Sequence, residues 1–135
     1  MARLELEASC DELERVMTFT EEQLEAMDCP LRVSMQLQVA VEELFVNVAS
    51  YAYPEGKGRC EIVLTPVEEP RGVTIAFTDS GIPYDPTARQ DPDTHLAAED
   101  RPVGGLGIYM VRKSMDTFTY RREDGRNIVT IGKRF

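Results

Sequence analysis

Apolar and polar residues alternate over residues 3–8, with Leu4 and Leu6 on one side and Glu5 and Glu7 on the other, and this period of two predicts a short strand. The period then lengthens. Leu13, Val16, Met17, Thr20, Leu24 and Met27 share one helical face, and Ser9 followed three residues later by Glu12 has the form of a capping box at its start. Asp28 or Cys29 before Pro30 suits the cap of a second helix with proline in its first turn, and its periodicity runs to about Tyr53. Strands are predicted over 59–66 and 72–79, joined by the turn Glu68-Glu69-Pro70-Arg71-Gly72. Residues 80–103 are polar and proline-rich, with a short helical stretch near 94–99, and loops of this length are usually functional. A glycine-led helix over 105–115 precedes strands over 117–122 and 126–134, which turn at Glu123-Asp124-Gly125.

The order β, α, α, β, β, loop, α, β, β implies an α/β (α+β) two-layer sandwich, a mixed but mostly antiparallel sheet with helices packed on one face. A doubly wound sheet would need repeated βαβ crossovers and an early glycine-rich turn, and the sequence has neither. At 135 residues, a single domain over 1–135 is expected, long enough to bury a core without disulfides. Met17, Met27, Met35, Met110 and Met115 lie in the helical stretches and are expected as core filler.

Composition narrows the partners. A net charge of −9 argues against a nucleic-acid backbone and against anionic membranes. No apolar run reaches the roughly 18 residues a membrane span requires, and residues 1–7 lack the order of a secretory signal. Cys10, Cys29 and Cys60 are widely spaced and form no CxxC pair, so the expected setting is a reducing cytoplasm.

Three motifs carry chemistry. In the second helix a rotation of about 100° per residue puts Glu43 and Asn47 on one stripe, where one ligand can meet a carboxylate and an amide together. The strand over 72–79 has Val73, Ile75 and Phe77 on one face, and the period of two carries that face to Asp79. An inward carboxylate needs donors, and the exocyclic amine of adenine is one; Gly81 lets a flat base approach the backbone. Gly104-Gly105-Leu106-Gly107 leads into a helix and offers free N–H groups and the positive end of the dipole to a phosphate. Taken singly, each has an ordinary explanation: an exposed helix side, an Asp-x-Gly turn, a glycine cluster. There is no GxxxxGK[ST] loop and no VAIK, HRD or DFG set. The lone His95 stands in the polar loop, and neither Ser80 nor Ser114 lies in a GxSxG elbow.

Together and in this order, the motifs resemble the N, G1 and G2 boxes of the GHKL (Bergerat-fold) ATPases and kinases over nearly the whole chain. The stretch from Val41 to Tyr53 and the strand-helix start look most like the anti-sigma-factor serine/threonine kinases of bacterial partner-switching systems. This resemblance implies ATP and Mg²⁺ as cofactors. It implies Glu43 as general base, Asn47 as metal ligand, Asp79 and Gly81 at adenine, and Gly104, Gly105, Leu106 and Gly107 at phosphate. Arg101 would neutralise phosphate charge, and residues 82–103 would form an ATP lid. The implied partners are a STAS-type anti-sigma antagonist, which would be phosphorylated, and a sigma factor or analogous protein, which would be sequestered; a homodimer is also implied. The competing expectation is a nucleotide-dependent binding module that transfers no phosphate. Two departures stand out: Pro83 replaces the second glycine of DxGxG, and the strand residue at the adenine site is either Asn127 or Thr130.

Overall fold

The computed structural model describes residues 1–88 and 105–135, and for Gly105 and Leu106 the backbone alone. His95, Arg101, Gly104, the stretch 94–99 and the lid from residue 89 to 103 lie outside the described residues.

The first strand, β1, spans Ala2–Glu7. The capping box expected next is not formed. Ser9 Oγ accepts from Asp11 N at 3.2 Å and caps a 3-10 turn over Cys10–Glu12, while Glu12 turns its carboxylate to Arg15. Helix α1 (Leu13–Ala26) follows and buries Val16, Thr20 and Leu24, the stripe read from the sequence. Pro30 is itself the N-cap of α2 (Leu31–Tyr51), with extended dihedrals and no side-chain cap, so neither Asp28 nor Cys29 serves. The preceding loop is held by Arg71, which donates to the carbonyls of Met27 and Asp28. Tertiary contacts replace the local cap.

Strands β2 (Arg59–Val67) and β3 (Gly72–Asp79) form a hairpin, and α3 (Gly105–Ser114) leads to a second hairpin of β4 (Thr117–Glu123) and β5 (Arg126–Arg134). Asp124 and Gly125 turn this hairpin with φ of 51° and 76°, as a two-residue primed turn requires. The five strands lie in the order β1-β2-β3-β5-β4. Every ladder is antiparallel, so the sheet is not mixed. Because β5 returns between β3 and β4, those two strands, which run parallel, never touch.

The inward face follows the period of two: Ile62 and Leu64 of β2, Ile75, Phe77 and Asp79 of β3, and Asn127, Val129 and Ile131 of β5 are buried. Helix α2 lays Leu37, Val41, Leu44 and Val48 on this face and packs between α1 and α3. Burying each such side chain stabilises by about 1.5–3 kcal/mol. The methionines divide differently from expectation. Met115 is buried and Met17 and Met27 pack partly against the core, but Met35 is 59% and Met110 50% exposed, because both fall on the outer sides of their helices.

Candidate nucleotide site

One end of α2 and the ends of β3 and β5 enclose a pocket with about 350 Å³ of empty space, its mouth included. Leu44, Val48, Ala52, Phe77, Val129 and Pro86 give it apolar walls; Asn47, Asp79, Asn127 and Tyr84 supply polar atoms. Such a lining suits the faces of a flat ring with a donor on its edge.

Asp79 is 5% exposed, as its place on the inward face requires. Its Oδ1 accepts from the Gly81 N–H and from Asn127 Nδ2, each at 2.9 Å, and Oδ2 has no partner among the described residues. Asn127, rather than Thr130, is the strand residue here. It is 2% exposed, while Thr130 pairs with Ala76 on the alternate face. The alternation with Val129 and Ile131 carried that signal. Asn127 Nδ2 also donates to the Ile82 carbonyl at 2.7 Å, and its Oδ1 accepts from Tyr120 Oη at 2.6 Å and an Arg122 nitrogen at 3.0 Å.

The turn after β3 is fixed group by group. Ser80 N donates to Tyr53 Oη at 2.8 Å, Ile82 N to the Ala52 carbonyl at 2.9 Å, and Arg122 donates to the Gly81 carbonyl at 2.9 Å. A Cβ on Gly81 would overlap the Ala52 carbonyl, so glycine is required by the close approach of the turn to the end of α2. Helix α2 stops at Tyr51 so that Ala52 and Tyr53 can make these contacts, and Tyr51 stacks on Tyr84 with ring centroids 5.4 Å apart. Tyr53, Tyr84, Tyr120 and Arg122 are site residues the motifs did not point to; their roles come from chain turns and ladders, which carry no local signature.

Glu43 lies half-buried beside this pocket, one turn before Asn47. The first turn of α3 passes so near that a Cβ on Gly107 would overlap the Glu43 carboxylate. The first and third motifs therefore meet in space. Among the described residues the carboxylate has no hydrogen bond or ion pair, and burial first, then the charge of Glu42, raises its pKa above the usual carboxylate range. The Asn47 amide is likewise unengaged, and its Nδ2 is fully buried. A buried amide donor without a partner calls for an explanation, and an acceptor on a ligand supplies one. Cys60, under Asp79 on the neighbouring strand, is buried and its thiol is pushed up to about 12 by burial, then by Asp79 and Glu61; it is packing, not a nucleophile.

Residues 6–133 match the histidine kinase-like ATPase domain. The chain belongs to that family. Among relatives of this ATPase domain, the serine/threonine-protein kinase BtrW of Bordetella bronchiseptica is 31% identical over 100 residues, 74% of this chain and 70% of BtrW. The serine-protein kinase RsbW of Bacillus cereus is 25% identical over 97 residues, 69% of this chain and 59% of RsbW, so the chain spans under two thirds of that relative. These relatives bear out the resemblance read from the three motifs. A chain of the SiaB–SiaC complex from Pseudomonas aeruginosa shares the fold, with a TM-score of 0.60 at 14% identity over 98% of this chain and 89% of that one. Among the described residues no helix is long and apolar enough to cross a membrane.

Proposed function

We propose that this ATPase domain is an ATP-dependent protein serine/threonine kinase that phosphorylates a STAS-type anti-sigma antagonist and sequesters a sigma factor or analogous partner. The observation that carries the reading is the meeting of Glu43, the unengaged Asn47 amide and the first turn of α3 at one edge of the pocket. The relatives named as serine and serine/threonine kinases support it. On this reading the adenine ring of ATP sits in the pocket at Asp79, whose carboxylate Gly81 holds through its N–H, and the triphosphate runs toward Gly105, Leu106 and Gly107, where the amides of a helix start favour anions. Gly104 and Arg101 belong to the same reading, at phosphate.

Asn47 fits Mg²⁺ as well: its neutral amide oxygen is a hard ligand, and among the described residues no hydrogen bond engages that amide. When bound, the metal would neutralise charge on the phosphates. Glu43 accepts the proton of the incoming serine hydroxyl. The serine oxygen bonds to the γ-phosphorus, the bond from that phosphorus to the β–γ bridging oxygen breaks, and ADP leaves. A carboxylate whose pKa is raised by burial is a better acceptor for this proton than an exposed one.

The test is incubation with labelled ATP, Mg²⁺ and the STAS-domain proteins of the same organism, beside Glu43→Ala. We expect label on a partner serine or threonine, reduced about 10²- to 10⁴-fold in the variant with ATP binding retained. Confirmed ATP binding with no transfer to any partner rejects the kinase and leaves a nucleotide-dependent binding module.

A further inference from the structure

Asp79 does not meet a ligand as a free carboxylate. Its Oδ1 already accepts two hydrogen bonds, from Gly81 N and Asn127 Nδ2, which fill both in-plane lone pairs. Only Oδ2 is left to the pocket. This matters for base recognition, because a free carboxylate offers two parallel acceptors and guanine offers two parallel donors, N1–H and the 2-amino group. Adenine offers its 6-amino group to a single acceptor.

We propose that Asn127 is a positioning residue that sets purine selectivity: by occupying Asp79 Oδ1 it turns a two-oxygen acceptor into a one-oxygen acceptor, which admits adenine and denies guanine its paired contact. The inference rests on the nucleotide reading above. Asn127 touches no ligand with its polar atoms, since Nδ2 is spent on Asp79 and on the Ile82 carbonyl, and Oδ1 receives Tyr120 Oη, Arg122 and the Tyr84 N–H. These partners also forbid the amide to rotate, because reversal would set its oxygen against both the carboxylate and a carbonyl. Tyr120 and Arg122, brought from β4 by the hairpin register, orient Asn127, and Asn127 orients Asp79. A hydroxyl side chain in place of Asn127 would have only one donor and could not bridge both acceptors at once.

The experiment is a competition of fluorescent ATP with ATP, GTP and purine riboside triphosphate, which lacks the 6-amino group, on the whole protein and on Asn127→Ala and Tyr120→Phe. The unsubstituted protein should prefer ATP to both others. In Asn127→Ala the ATP-to-GTP affinity ratio should fall about tenfold or more, the effect of one charge-assisted hydrogen bond released to a ligand. Tyr120→Phe keeps the Asn127 amide but loosens it, and should move the ratio in the same direction by a smaller factor. It decides the matter alone if Asn127→Ala does not fold. A merely structural Asn127 would lower thermal stability and weaken both nucleotides equally, so an unchanged ratio in the folded variants overturns the inference while leaving the ATP site intact. Failure of the unsubstituted protein to bind any nucleotide overturns the reading on which it rests.

Discussion

Glu43 shows how one residue joins stability to chemistry. Its pKa is raised in the folded protein, by burial and then by Glu42, so between the usual carboxylate range and the raised value the native state holds a proton that the unfolded chain has lost. Stability therefore falls as pH rises through that window, and above it the ionised side chain is a net cost. Glu43→Gln removes the cost along with the proposed base. Thermal unfolding followed against pH should find the variant melting higher than the parent at neutral pH, with the gap closing below the usual carboxylate range; a gap independent of pH contradicts the assignment. The pair Glu43 and Asn47 was legible because a spacing of four fixes relative direction on any helix. Asn127 was half-legible: alternation pointed inward, but the register that puts it beside Asp79 is a property of the β3–β5 ladder. Met35 and Met110 misled because methionine tells nothing about which side of a helix it occupies.

Among elements, α2 and α3 meet where Gly107 faces Glu43, which brings together stretches more than sixty residues apart. Gly107→Ala places a methyl where the carboxylate now lies. A flexible side chain can swing aside, and alanine gains up to about 1 kcal/mol of helix propensity over glycine. We therefore expect melting within a few degrees of the parent but phosphate transfer lowered by tenfold or more, measured side by side; full activity in this variant argues against a working Glu43. Among the described residues, the five strands and three α-helices were readable from period and breakers, with ends within two residues of expectation except the start of α1, which follows a 3-10 turn. Their caps were not. Ser9 and Glu12 have the letters of a capping box, yet Arg15 claims Glu12, and Arg71 from the β2–β3 turn holds the loop before α2. Sheet parallelism also escaped the sequence, since it depends on where β5 inserts.

At the scale of the molecule, a chain with net charge −9 gains most from a polyanionic nucleotide when a cation comes with it. ATP with Mg²⁺ at a hundredfold excess over Kd should add about 2.7 kcal/mol, roughly 10 °C in a melt of a protein this size. EDTA should remove most of that gain, and Asn47→Ala should abolish the difference between the two conditions; a melt indifferent to chelation argues against the metal. The pinned turn after β3 has a further consequence, in time rather than in energy. Loop amides ordinarily exchange with solvent through small local openings, but Ser80 and Ile82 donate to Tyr53 and Ala52, just past the end of α2, while Gly81 donates to Asp79 at the end of β3. Freeing Ser80 or Ile82 requires the end of α2 to part from this turn. In deuterated water the Ser80 and Ile82 amides should exchange at the pace of the central strands, marking this end of the pocket as a unit that opens only when the whole domain does.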